Sequence, residues 1–247
     1  MEFHEYGNPT NQRVMLIPGL GVSHEIFEPL IKLLEDDYHV IAVAIDGFII
    51  GQRSLFTSVE DQAEQVIDYI KHRHNSHIEV IYGLSLGGKI LSRIMERGAV
   101  SVDHAIMDAA PLKALPGWLV HPLRYLQCAN VWSCYHHTRF WRWVFHSHYF
   151  DTLLDECRKV YPYGGCRAVL DGYESVYTSS LQRLTNAEGK IYYWHGTKEA
   201  FIARIQVRHL KSIRSDTMVD VFPRLNHGEL LIEHPEEVAA RIKAMTQ

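Results

Sequence analysis

One serine in the sequence stands between two glycines at a spacing that suits a nucleophile. The segment reads Gly83-Leu84-Ser85-Leu86-Gly87, which matches the pattern G-x-S-x-G. A serine that attacks a carbonyl carbon must stand at a sharp turn with its hydroxyl clear of the backbone. Glycines two positions before and after it let the neighbouring chain pass closely. A serine alone is a poor nucleophile, so the chemistry also needs a base and an acid that orients the base.

The residues around this segment predict the turn that the chemistry requires. An apolar, β-branched run over residues 78–82 predicts a strand that leads directly into the first glycine. Ile90, Leu91 and Ile94 predict a helix that begins at Ser85. The free N–H groups and the dipole at the start of such a helix favour negative charge. A plain glycine-rich turn is the alternative interpretation, but these flanks favour a nucleophile.

The rest of the chain alternates short apolar runs with patterns of helical spacing. The predicted strands cover residues 14–17, 40–45, 78–82, 104–107, 190–194 and 217–222. Strands that are apolar along their whole length are buried on both faces, and their alternation with helices is typical of a parallel sheet. The sequence therefore predicts an α/β fold, with a doubly wound, mostly parallel sheet and helices on both faces.

Residues 112–185 interrupt this alternation. Strand patterns are absent from this segment and aromatic residues are frequent in it. Four of the five tryptophans of the chain lie there: Trp118, Trp132, Trp141 and Trp143. Because the alternation resumes at residue 190, the segment is expected to be an insertion between two strands of one sheet.

Together these features resemble the α/β-hydrolase fold family, and the likeness covers nearly the whole chain. The resemblance rests on the glycine-flanked serine at a strand-to-helix turn. It implies a core made of residues 1–111 and 186–247, with residues 112–185 forming a helical cap inserted between the strands. With a serine at the turn, the sequence is similar to the esterase- and lipase-like branch. Epoxide hydrolases and dehalogenases of the family carry a carboxylate there instead.

The resemblance implies a histidine base in the loop after the last strand. His227 lies there, within Asn226-His227-Gly228, and the sequence Glu-His-Pro-Glu-Glu that begins at residue 233 is similar to the end of many such hydrolases. His234 is the nearest alternative, and it is expected to have a structural role at the start of the last helix.

The usual place of the acid in this family is the loop after the penultimate strand. Glu199 lies there, in a Gly-x-x-Glu sequence where relatives commonly have Gly-x-x-Asp. The order serine, acid, histidine along the chain is also the order of the fold. Some members place the acid at the end of the strand that follows the nucleophile helix, where this chain has Asp108. We therefore predict Glu199 as the acid and keep Asp108 as the alternative.

Two backbone N–H groups are expected to form an oxyanion hole for the attacked carbonyl oxygen. One belongs to Leu86, the residue after the nucleophile. By the resemblance, the other belongs to Leu20, in a Pro-Gly-Leu-Gly loop where many relatives have His-Gly.

Aromatic side chains of the cap are expected to line an apolar pocket that suits a hydrophobic acyl group. Five residues carry this prediction: Trp118, Trp132, Phe140, Trp141 and Phe145. Packing of the cap helices against one another is the alternative role for each of these side chains.

Composition restricts the partners. A net charge of −4 argues against a nucleic-acid surface. No stretch approaches the roughly 20 apolar residues of a membrane span, and the first residues do not resemble a signal peptide. With four cysteines and no CxxC pair, the expected location is the cytoplasm.

No metal or other cofactor is expected. Four histidines lie close together in the sequence but lack an acid spaced as in a catalytic zinc site: His136, His137, His146 and His148.

The sequence thus predicts a serine hydrolase whose partners are water and a small or medium-sized hydrophobic ester, cleaved through an acyl-enzyme. A thioesterase, a carbon–carbon hydrolase and an acyltransferase would use the same groups, and a fold does not choose among them. A ligand-binding protein on this scaffold is the alternative from a different class. The sequence does not indicate an oligomeric state.

Overall fold

Seven strands of one sheet form the centre of the protein in the computed structural model, which describes residues 1–184 and 189–247. They are β1 (Glu2–Tyr6), β2 (Arg13–Ile17), β3 (His39–Ala44), β4 (His77–Leu84), β5 (Ser101–Asp108), β6 (Lys190–Gly196) and β7 (Met218–Phe222). Their order across the sheet is β1-β3-β2-β4-β5-β6-β7. The β1–β3 pair is antiparallel and the other neighbouring pairs are parallel. The predicted doubly wound, mostly parallel sheet is confirmed.

The first strand, β1, was not predicted from the sequence. Its five residues, Glu-Phe-His-Glu-Tyr, are only partly buried, and β1 lies at the edge of the sheet. A partly buried strand at the edge of a sheet does not need the continuous apolar run by which the buried parallel strands were recognised.

Nine helices in the described residues surround the sheet. They are α1 (Glu28–Leu34), α2 (Val59–Arg73), α3 (Leu86–Arg97), α4 (Gly117–His136), α5 (Thr138–Phe145), α6 (His148–Thr178), α7 (Ala200–Ile213), α8 (Glu229–Glu233) and α9 (Pro235–Thr246). Two apolar clusters lie on opposite faces of the sheet. One includes residues of α2, α3 and α7, and the other includes residues of α1, α8 and α9. Alternate side chains of β2 enter different clusters, Met15 one and Val14 the other, so helices cover both faces.

Along the chain, the helices α4, α5 and α6 come between β5 and β6. These two strands are neighbours in the sheet. α4 and α6 pack against each other, and α6 bends at Gly165, where φ is +57°. A residue other than glycine rarely adopts that φ. Pro162, one turn earlier, also interrupts the helical hydrogen bonds.

The division into a core and a cap stays a prediction, and its second boundary, between residues 185 and 186, lies outside the described residues. Within residues 1–184 and 189–247, no helix combines the length and the apolar character needed to cross a membrane.

Candidate active site

Ser85 stands at the turn between β4 and α3, with a backbone conformation that non-glycine residues rarely adopt. Its φ is +52° and its ψ is −109°. Such a conformation costs about 1–3 kcal/mol and persists only where the surrounding structure imposes it. The Ser85 N–H donates to the backbone oxygen of Asp108 at 2.7 Å, and the backbone oxygen of Ser85 accepts from the Lys89 N–H at 3.0 Å. These bonds hold the turn between the end of β5 and the first turn of α3.

The glycines of the motif allow α3 and the neighbouring strand to come close to this turn. A Cβ on Gly87 would lie 2.1 Å from the backbone oxygen of Ile17, at the end of β2. A Cβ on Gly83 would lie 2.5 Å from the backbone oxygen of Gly87. Both distances are far below van der Waals contact, so the packing around Ser85 requires glycine at each position.

His227 and Glu199 are joined by a hydrogen bond, although 28 positions separate them in the chain. Glu199 follows β6 and His227 follows β7, and parallel neighbours end at the same edge of a sheet. His227 Nδ1 lies 2.8 Å from Glu199 Oε2, while Glu199 Oε1 accepts the Gly196 N–H at 3.2 Å. From α6, the Tyr149 hydroxyl donates to the backbone oxygen of His227 at 2.7 Å. The imidazole is therefore oriented by a carboxylate, and its loop is held by a hydrogen bond from α6.

The surroundings of His227 shift its pKa in opposite directions. Enclosure by many protein atoms lowers the pKa, although half of the side-chain surface remains open. The hydrogen bond and charge of Glu199, together with the charge of Asp108, raise it by more, so the pKa of His227 lies above its ordinary value. A carboxylate at this position thus stabilises the protonated imidazole.

Asp108, the alternative acid, lies at the end of β5 and is almost completely buried. Its Oδ2 accepts a hydrogen bond of 2.5 Å from the Tyr82 hydroxyl. Burial raises the pKa of Asp108 to about 7; the Tyr82 bond and the charge of His227 oppose the rise, and the charge of Glu199 adds to it. Asp108 is thus held by Tyr82, whereas Glu199 is the carboxylate hydrogen-bonded to His227.

The two predicted oxyanion donors, the N–H groups of Leu20 and Leu86, belong to residues close to Ser85. Leu86 is the first residue of α3, and Leu20 lies in the loop after β2, where a Cβ on Gly19 would be 3.7 Å from Ser85 Cβ. Within the part of the chain that the structure describes, neither N–H donates a hydrogen bond to protein. Two unengaged donors near a serine can accept the charge of an oxyanion.

A cavity of about 400 Å³ opens above Ser85 and beneath the helices that follow β5. We call it the central cavity. Its lining consists of Gly19, Leu20, Gly21, Val22, Ile26, Leu84, Ser85, Gln127, Asn130, Val131, Cys134, Trp141, Phe145, Tyr149, Phe150, Leu153, Leu154, Cys157, Tyr173, His227, Gly228 and Ile232. Among these described residues none is Asp, Glu, Lys or Arg, so the cavity favours neutral, apolar ligands.

Ser85 and His227 both line the central cavity. Among the described residues, the Ser85 hydroxyl makes no hydrogen bond, to His227 or to any other group. Hydrogen bonds of this kind are often loose without substrate and tighten in the substrate complex. Within the described residues, no hydrogen bond therefore fixes the orientation of the Ser85 hydroxyl.

The structure divides the five predicted pocket aromatics into two groups. Trp141 and Phe145 line the central cavity, whereas Trp118, Trp132 and Phe140 lie outside it with large exposed surfaces. Aromatic residues are frequent on every side of these helices, so their number along the chain does not indicate which of them face inward. We therefore no longer assign the last three to the pocket.

Polar lining residues of α4 were not among the predicted site residues. Gln127, Asn130 and Cys134 line the cavity at spacings of three and four, the repeat of one helix face. That periodicity in the sequence could have identified them once α4 was recognised as a helix.

No three His, Cys, Asp or Glu side chains converge as metal ligands within the described ranges. Two of the histidines that could suggest a metal site, His136 and His148, contact other side chains. The His136 ring lies 4.7 Å from that of Trp132, and His148 Nδ1 lies 3.2 Å from Glu233 Oε1.

Comparisons with known proteins agree with the fold. The model of the alpha/beta hydrolase family matches residues 14–241. An alpha/beta hydrolase family protein from Desulfitobacterium hafniense has a similar structure, with a TM-score of 0.82 at 19% identity over 100% of both chains. A thermophilic esterase from Thermogutta terrifontis gives a TM-score of 0.73 at 17% identity, covering 99% of this chain and 92% of that one. The enol-lactonase from Burkholderia xenovorans gives 0.74 at 13% identity, covering 99% and 95%. No curated protein matches the sequence.

Proposed function

The chain belongs to the alpha/beta hydrolase family, and we propose that it is a serine hydrolase that cleaves esters of small or medium-sized hydrophobic acids. The observation that carries the proposal is the arrangement at the edge of the sheet. A strained serine and a histidine line one apolar cavity, and a glutamate is hydrogen-bonded to that histidine. Strain and an oriented imidazole are typical of a reactive serine.

The proposed reaction begins when the Ser85 hydroxyl rotates toward His227. As the Ser85 oxygen forms a bond to the ester carbonyl carbon, His227 Nε2 takes the hydroxyl proton. The carbonyl oxygen becomes negative and accepts hydrogen bonds from the N–H groups of Leu20 and Leu86. His227 then gives its proton to the alcohol as the carbon–oxygen bond of the ester breaks, which leaves an acyl group on Ser85.

Hydrolysis of the acyl-enzyme by water completes the cycle, and His227 again acts first as a base and then as an acid. His227 takes a proton from water, the water oxygen bonds to the acyl carbon, and the tetrahedral intermediate expels the serine oxygen. The proton on His227 returns to Ser85, and the carboxylic acid is released. Throughout, Glu199 holds Nδ1 protonated and stabilises the imidazolium that forms in each half of the reaction.

Glu199 is the acid in this proposal because its hydrogen bond to His227 Nδ1 is already made at 2.8 Å. The burial of Asp108 favours a neutral carboxyl and raises its pKa to about 7, although its hydrogen bond from Tyr82 opposes that rise. A partly protonated carboxyl stabilises an imidazolium less well than a carboxylate does.

The lining of the central cavity supports a hydrophobic, uncharged acyl group. A volume of about 400 Å³ corresponds to about a dozen non-hydrogen atoms, if each takes the roughly 30 Å³ of a water molecule. An ionised group in such a lining would lose hydration without gaining a partner. Neutral esters of short and medium chain length therefore fit best, and the esterase from Thermogutta terrifontis shares the fold.

Labelling with a fluorophosphonate tests whether Ser85 is nucleophilic. We expect the probe to react with one serine, which mass spectrometry of peptides should identify as Ser85, and Ser85→Ala should prevent labelling. Ser212→Ala, a change at an exposed serine of α7, is the matched control and should label normally. A folded protein that the probe leaves unlabelled would instead support a ligand-binding role.

Hydrolysis of p-nitrophenyl esters and acyl thioesters of rising chain length tests the substrate class. We expect kcat/KM to favour neutral oxygen esters and to fall once the acyl group exceeds the cavity. Higher values for thioesters at every length would replace the esterase proposal with a thioesterase. The cytoplasmic location inferred from the sequence stays a prediction.

A further inference from the structure

The outer side of α5 carries large apolar side chains that the described chain leaves uncovered. Trp141 and Phe145 face the central cavity, whereas Phe140, Trp143 and Val144 lie on another side of the helix. Trp143 is 68% exposed and Phe140 is 54% exposed, and their ring centroids are 6.3 Å apart. Large apolar side chains that are exposed close together indicate an interaction surface.

Exposed apolar side chains are also frequent on α4. Trp118, Tyr125 and Leu126 each expose more than half of their surface, and Trp132 is exposed beside His136. Tryptophan and tyrosine are the side chains that concentrate where a membrane meets water, because an apolar ring and a polar N–H or O–H suit that boundary.

The charge of this part of the chain is opposite in sign to that of the whole. Between Asp108 and Asp151 the sequence contains no Asp or Glu, four Lys or Arg and five His, whereas the complete chain carries −4. Acidic residues of α6 and its surroundings pair with some of these cations: Asp155 with Arg142, and Glu174 with Arg124. The remaining positive charge is available to an anionic partner.

A cationic groove lies beside the exposed rings. Its lining consists of Tyr135, His136, His137, Thr138, Arg139, Phe140 and Arg158. Neither Arg139 nor Arg158 forms an ion pair among the residues that the structure describes. Two unpaired guanidinium groups next to an aromatic ring suit a phosphate ester, to which arginine can donate two hydrogen bonds at once.

We propose that this surface of α4 and α5 binds the face of a membrane that contains anionic phospholipid. Trp143 and Phe140 enter the interfacial region, and Arg139 and Arg158 contact lipid phosphates. A second copy of the chain is a poorer occupant, because a two-fold contact would bring two positively charged surfaces together.

Flotation with vesicles tests the proposal without turnover, so its failure would leave the hydrolase proposal untouched. The probes are vesicles of phosphatidylcholine alone and vesicles with about one third phosphatidylglycerol. We expect the intact chain to float with the anionic vesicles and much less with the neutral ones. The combined change Phe140→Ala and Trp143→Ala should weaken binding about tenfold or more through lost apolar burial. Arg139→Gln should weaken it about fivefold.

Phe201→Ala is the matched control, because Phe201 is 81% exposed on α7 outside the cap. It should bind vesicles as the unchanged chain does. Circular dichroism melts should show that every variant folds, since these side chains are exposed. Failure to bind either kind of vesicle would overturn the proposal. So would sedimentation that showed a dimer broken by Trp143→Ala, which would assign the surface to a second copy.

Discussion

Replacing Glu199 by glutamine tests which carboxyl orients the histidine. In Glu199→Gln the shape is retained, but the negative charge that faces His227 Nδ1 at 2.8 Å is lost. A hydrogen bond to a charged group contributes about 1.5–3 kcal/mol, or roughly 10- to 150-fold in rate. If the new amide donates to Nδ1, the imidazole adopts the tautomer that cannot take the serine proton, and the loss approaches about 10⁴. We therefore expect kcat/KM to fall by about 10²–10⁴.

The pH dependence of the same variant gives a second measurement. His227 must be neutral to act as a base, and its folded pKa lies above the ordinary value through Glu199. Activity of the unchanged enzyme should therefore fall as the pH drops through that raised pKa. Glu199→Gln removes the bond and the charge that raise the pKa, so its acid limb should move to lower pH.

Asp108→Asn is the matched control. The asparagine oxygen can still accept from Tyr82, and the replaced carboxyl already has a pKa of about 7. We expect a loss of less than about tenfold in kcat/KM and a smaller displacement of the acid limb. A larger loss from Asp108→Asn than from Glu199→Gln, with both variants folded by circular dichroism, would refute the assignment of Glu199.

Further predictions concern stability. Gly87→Ala would place a Cβ 2.1 Å from a backbone oxygen, so urea unfolding should show a loss of about 3 kcal/mol; Gly117→Ala meets open space and should change stability by less than about 0.5 kcal/mol. Glu156→Ala should lower the free energy of unfolding by about 3 kcal/mol, because the buried N–H and hydroxyl of Ser23 would lose their acceptor; an unchanged melting temperature would contradict this. Burial lowers the pKa of Lys89 to about 7, below the roughly 10.4 of an unfolded chain. The unfolded state thus binds more protons between these values, stability should rise from about pH 7 to 10, and Lys89→Met should flatten the rise in pH-dependent urea titrations.

The strand-to-helix turn at Ser85 was predictable because its determinants are close together in the chain. An apolar strand, a serine between glycines and an amphipathic helix specify the turn within about 15 residues of sequence. The parallel sheet followed for the same reason, since buried strands and the helices between them each carry their own pattern. β1 was missed because it is a partly buried edge strand and lacks the continuous apolar pattern.

The residue pattern was enough to predict the parallel strands, the serine turn and the position of a histidine after the last strand. It left two carboxyls, Glu199 and Asp108, as partners for that histidine. Only the tertiary structure brings Glu199 to His227 and binds Asp108 to Tyr82. It also decides which aromatic side chains of α4 and α5 face the cavity and which face outward. These choices depend on how strand ends meet and how helices rotate against the sheet, and neither property is contained in any short stretch of residues.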